Sequence, residues 1–170
     1  GGTLAGNGSI AGPVTVNSGG KLAPGPLTGL GQLTISNQLT LAAGRTTFLE
    51  IRRAPLTNDS VFVAGTLTRG GALLVTNISG TLVNGDTFKL FDATSSAGSF
   101  SSIVLPPLSS GLQWSTNNLN GNGTISVVAS TVAPPVFNSI TPLANGAFRL
   151  NFTGPSGANF EIRASTNAAL

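Results

Sequence analysis

The acidic side chains of the 170-residue chain are Glu50, Asp59, Asp86, Asp92 and Glu161, and any acid–base or metal chemistry must be built from them. A glycosidase needs two carboxylates facing one bond, and a calcium-assisted polysaccharide lyase needs clustered acids beside a cation. Glu50 and Asp59, with Arg52 and Arg53 nearby, are the set whose sequence spacing comes closest to either. A plainer reading makes Glu50 an outward residue on a strand, Asp59 a turn residue in Thr57-Asn58-Asp59-Ser60, and the arginines solvated. Asp86, after Asn84-Gly85, and Asp92 flank one strand and suit turn chemistry better than a Ca²⁺ site. His, Cys, Met and Tyr are absent, which removes imidazole bases, thiolate nucleophiles, disulfides and most metal ligands. With no His and only Lys21 and Lys89 as lysines, an abundant Ser or Thr has no activating base. The expectation is a non-enzymatic protein with no catalytic residues, no metal and no cofactor.

Other chemical motifs are equally thin. Gly6-Asn7-Gly8 has no following helix to line an anion site, so it is not a nucleotide loop. Asn7, Asn58, Asn77, Asn122 and Asn151 head Asn-x-Ser/Thr triplets, which arise by chance in a chain rich in these residues. The isoelectric point near 10.7 rests on a net charge of only +3. Lys21, Arg45, Arg69, Lys89, Arg149 and Arg163 are scattered, and Arg52-Arg53 is the single adjacent pair, so counterion release from a nucleic acid has no clustered cations to drive it. No nucleic-acid partner is expected. No apolar run reaches the length of a membrane span, and no signal-peptide pattern remains. The chain opens GGTLAGNGSI, without Met and already in a repeating pattern, so a segment excised from a longer product is expected.

The elements that would carry these residues are short strands. Charged residues make up 8% and hydrophobic residues 40%, too apolar for a disordered chain and consistent with a surface of Ser, Thr and Asn. Gly2-Thr3-Leu4, Gly8-Ser9-Ile10, Val14-Thr15-Val16, Gly20-Lys21-Leu22, Leu33-Thr34-Ile35 and Leu39-Thr40-Leu41 alternate apolar (or Gly), polar and apolar residues, as strands do. Small-residue turns separate them and leave no room for helices. Longer strands follow at TTFLEI (46–51), SVFVAGTLT (60–68), ALLVTN (72–77) and DTFKLF (86–91). A sandwich and a solenoid both fit; the close spacing and the Gly and Asn corners favour a solenoid, whose rungs stack about 4.8 Å apart.

The runs GTLAGNGSIAGPVTVNSGGKLAPG, LTISNQLTLAAGRTTFLEI, NDSVFVAGTLTRGGALLV and GDTFKLFDATSSAGSFSSIVLP resemble the autotransporter-associated β-strand repeat proteins of bacterial cell surfaces. The matching order is a Gly-x-Leu rung, an L-A-P-G corner, an L-T-L and T-x-F-x-E-I pair, an N-D-S turn, a G-G-x-L-x-V rung and a G-x-F terminal element, spanning residues 2 to about 128. The resemblance implies an extracellular or surface-exposed right-handed parallel β-helix, with residues 86–128 as its capping end, in a scaffold or adhesin. No outer-membrane barrel pattern accompanies it.

The expected organisation is all-β: solenoid rungs over 1–92, a capping unit over 93–130, a Pro-rich linker over 131–136, and an antiparallel extension over 137–170. DATSSAGSFSS reads as a polar loop, and Trp114 as a structural cap over the last rung. In the extension, Phe148, Leu150 and Phe152 share one face opposite Arg149 and Asn151, and Phe160 and Ile162 repeat the pattern beyond the loop TGPSGAN. This tail resembles the opening of a fibronectin type III-like or immunoglobulin-like domain, with too few strands to close a sandwich. Phe137, Phe148, Leu150, Phe152, Phe160 and Ile162 therefore form the expected assembly interface. The expected function is a structural module that self-associates through rung ends and tail into an oligomer or extracellular filament. An adhesin binding a cell-surface glycan through rows of Ser, Thr and Asn is the alternative, and a polysaccharide-degrading enzyme a third.

Overall fold

Glycine sets the corners of the fold. Gly19, Gly44 and Gly71 have φ of 75°, 72° and 64°, a left-handed backbone that side chains disfavour, and each stands one or two residues before a strand of the same sheet. At Gly44 a Cβ would come 2.5 Å from the Ser18 hydroxyl one rung away. The computed structural model describes residues 1–26, 29–131, 133 and 135–154. Regular structure in them is entirely β, and no described helix is long and apolar enough to cross a membrane.

The chain coils as a β-solenoid of about four turns. Turn one comprises β1 (Thr3–Gly6), β2 (Gly8–Ile10) and β3 (Val14–Val16). Turn two comprises β4 (Lys21–Pro24), β5 (Gln32–Ile35) and β6 (Leu39–Leu41). The third turn has β7 (Thr46–Arg52), the two-residue β8 (Thr57–Asn58) and the long β9 (Ser60–Arg69). After β10 (Ala72–Ser79) the chain makes β11 (Thr87–Lys89), then β12 (Phe91–Gly98) and β13 (Ser102–Val104). One parallel sheet runs β1-β4-β7-β10-β13; the other runs β2-β5-β9-β6-β3, with β12 paired to β9.

Register makes the core. Leu4, Leu22, Thr47, Leu73 and Ile103 align in one column. Leu33, Val61 and Phe91 form a second, and Val14, Leu39 and Leu67 a third. Leu22, Thr47, Leu73, Val61, Leu39 and Leu67 are fully buried. Period-two alternation supplies each column, and parallel stacking places like on like.

At the far end an antiparallel sheet of β11, β15 (Thr124–Ala129) and β14 (Leu112–Ser115) covers the interior with Phe88, Ile125 and Val127. DTFKLF does not form one strand as expected. It divides at Leu90, whose N–H donates to Gly123 O while its carbonyl accepts from Val61, so β11 joins the cap and β12 the solenoid. DATSSAGSFSS is not wholly a loop either: residues up to Gly98 pair with β9, because that long edge satisfies their backbone while their side chains, Ala93 excepted, stay in solvent.

Residues 1–129 and 130–170 are separate compact units. In the second, β16 (Val136–Pro142) and β17 (Phe148–Thr153) pair as a hairpin. The partner strand expected around Phe160 and Ile162 lies outside the described residues.

Candidate functional site

Glu50 and Asp59 are brought near each other, but on different footings. Glu50 lies on the outward side of β7, whereas Asp59 is buried and its carboxylate accepts from Gly31 N–H (2.7 Å) and Glu50 N–H (2.8 Å). Burial pushes the Asp59 carboxyl up to about 6 against the opposing effect of those two amides, and the nearby Glu50 charge adds to the rise. Asp59 thus ties Gly31 of turn two to β7. A Cβ at Gly25 would stand 2.9 Å from its oxygen. Asp86 pairs with Arg53 at 3.3 Å and accepts from Val83 N–H; Asp92 pairs with Lys89 at 2.9 Å. No group of three acidic metal ligands occurs among the described residues.

Two buried arginines brace the capped end. Arg45 donates to Thr47 Oγ1 and Gly70 O and lies over the Phe100 ring, and desolvation lowers its pKa to about 10. Arg69 donates to Asn120 O in the cap and lies over Phe91, whose ring centroid is 5.6 Å from that of Phe100. Two guanidiniums therefore bracket a packed aromatic pair. Trp114, half-buried on β14, packs on Phe88 at 6.3 Å and donates its indole N–H to Pro106 O.

The first turn forms the opposite end. β1, β2 and β3 each terminate a sheet, and Leu4, Ile10 and Val14 are only partly buried against the core. A depression of about 440 Å³ there is lined by Leu4, Val14 and Val16 among others. Residues 1–20 contain no Asp, Glu, Lys or Arg. In the hairpin, Phe148, Leu150 and Phe152 lie directly across from Pro142, Ile140 and Phe137 and so share a face with them, while Arg149 and Asn151 pair with Thr141 and Ser139 on the other. Phe148 is 64% exposed and Phe137 52%.

A groove on the outer face of the first sheet went unseen in the sequence. It holds about 460 Å³ and is lined by Ala5, Ala23 and Phe48 in one outward column, with Lys21, Glu50 and Pro24 around them. Lys21 Nζ sits 4.2 Å from the Phe48 ring centroid. Aligning the strands that follow each corner glycine would have set Lys21 beside Thr46 and Phe48 beside Ala23. Comparison with family models, curated proteins and solved structures yields no match.

Proposed function

We propose that this chain is a non-enzymatic structural module of an exported or surface-exposed bacterial protein, joining to copies of itself through its first turn and its C-terminal hairpin. The observation that carries the reading is the apolar face of the hairpin, where Phe137, Ile140 and Phe148 are each more than half exposed. The β11-β15-β14 sheet covers one end of the solenoid, whereas β1, β2 and β3 each end a sheet and border a depression lined by Leu4, Val14, Val16 and Lys21. Isolated edges of this kind are ordinarily blunted by lysine, bulges or a covering loop. The hairpin supplies a second apolar surface of different shape, and a heterologous contact between two unlike surfaces that does not close generates filaments. The charge-poor, Ser/Thr/Asn-rich composition and the resemblance to autotransporter-associated repeats favour an extracellular setting, with the hairpin as the start of a fibronectin-like module.

The test is sedimentation velocity with negative-stain microscopy over a concentration series. Wild type should form concentration-dependent species and fibres. Thr15→Lys with Thr3→Lys, which adds charge beside the first-turn edge, and deletion of residues 133–170 should each leave monomers. Wild type that stays monomeric throughout the series sinks the proposal.

A further inference from the structure

The charged residues of the described chain are mostly committed. Arg53 pairs with Asp86, Lys89 with Asp92, Asp59 is held by two amides, and Arg45 and Arg69 are buried over rings. Lys21 and Glu50, like Arg52 and Arg149, take part in none of those ion pairs, but these two carry opposite charge and line the same groove. Register separates them on the sheet face. Lys21 pairs with Thr46, and Phe48 and Glu50 follow on the same outward side of β7. Between a cationic donor and an anionic acceptor lies a floor of the Ala5 and Ala23 methyls, walled by Phe48 and by Pro24 and Pro26. The Phe48 ring also fixes the Lys21 ammonium by a cation–π contact, so the donor is positioned in advance.

We propose that this groove binds a saccharide unit of a glycan. A pyranose offers an apolar C–H face for the methyl floor and aromatic wall, with hydroxyls at its rim to donate to Glu50 and accept from Lys21 and Thr3. The volume lies in the usual small-ligand range of about 300–1,000 Å³. An extended peptide is a poorer occupant. Both edges of β4 are already taken by β1 and β7, so this face has no free strand edge there to satisfy a peptide backbone. The groove shares Thr3 and Lys21 with the depression at the first turn, so binding is read on dilute, monomeric protein.

The experiment screens the full chain against a microarray of neutral, amino-sugar and uronic-acid oligosaccharides, then titrates the best binder by calorimetry. Phe48→Ala should weaken binding roughly tenfold, and Glu50→Gln and Lys21→Met each about threefold or more. Thr40→Val, on the other sheet, should leave it unchanged. Circular dichroism melts check each fold, and if Phe48→Ala does not fold, Glu50→Gln and Lys21→Met decide. Retention of no saccharide, or affinity unaltered by both charge-removing substitutions, overturns the proposal.

Discussion

Asp59 shows how a residue legible as turn chemistry becomes a structural clamp once the chain coils. The Asn-Asp-Ser run marks the turn, but its carboxylate reaches Gly31 across 28 positions of sequence, a contact that only the stacking of turns creates. Its carboxyl is raised from 3.8 to about 6, so the folded state binds the proton more tightly than the unfolded chain does. The contribution of this group to stability is therefore greatest below about pH 4 and is lost as the pH rises to about 6, by at most about 3 kcal/mol. Thermal melts between pH 4 and 8 should show that fall in wild type and a flatter profile in Asp59→Asn. An identical slope in the variant would assign the dependence to another group. Arg45 and Arg69 were invisible as buried residues for a related reason: nothing in the sequence distinguishes a solvated arginine from one whose guanidinium meets the Gly70 or Asn120 carbonyl. The Lys21–Phe48–Glu50 arrangement likewise depends on a register between turns that no local pattern reveals.

At the scale of elements, the three-residue alternations Gly8–Ile10, Val14–Val16 and Leu39–Leu41 were readable to the residue, because a short strand between glycine-rich corners has one inward and one outward phase. Less readable was β12, whose Ser- and Ala-rich sequence has little strand preference and which forms because β9 offers it an edge. The columns also rank the side chains. Leu67 is fully buried in the third turn, with Leu39 stacked beneath it, whereas Leu4 belongs to the first turn and is partly exposed. Leu67→Ala should cost roughly 2–5 kcal/mol in urea denaturation. Leu4→Ala should cost less than half as much in dilute solution, because much of its side chain is already wet and little new cavity forms. Equal costs would mean that the first turn is as well covered as the third.

Across the whole of the first unit, stacked turns give a nearly one-dimensional array in which each rung is stabilised by its neighbours. An end rung has one neighbour where an inner rung has two, and the β11-β15-β14 sheet covers the last turn rather than the first. Local opening should therefore be easiest at β1, β2 and β3 and hardest around β7, β9 and β10, which have stacked strands on both sides. Hydrogen exchange followed by mass spectrometry on dilute protein should show that gradient, fast over residues 3–16 and slow over 46–77. Raising the protein concentration adds the decisive comparison, because association through the first turn would supply a second neighbour and stabilise it by mass action. Protection should then rise selectively over 3–16 while the already slow inner strands change little, and Thr15→Lys with Thr3→Lys should abolish the rise without altering the dilute pattern. A concentration series in which the first turn stays equally fast would place any association elsewhere on the molecule and leave the first-turn edge as a surface without a partner among copies of this chain.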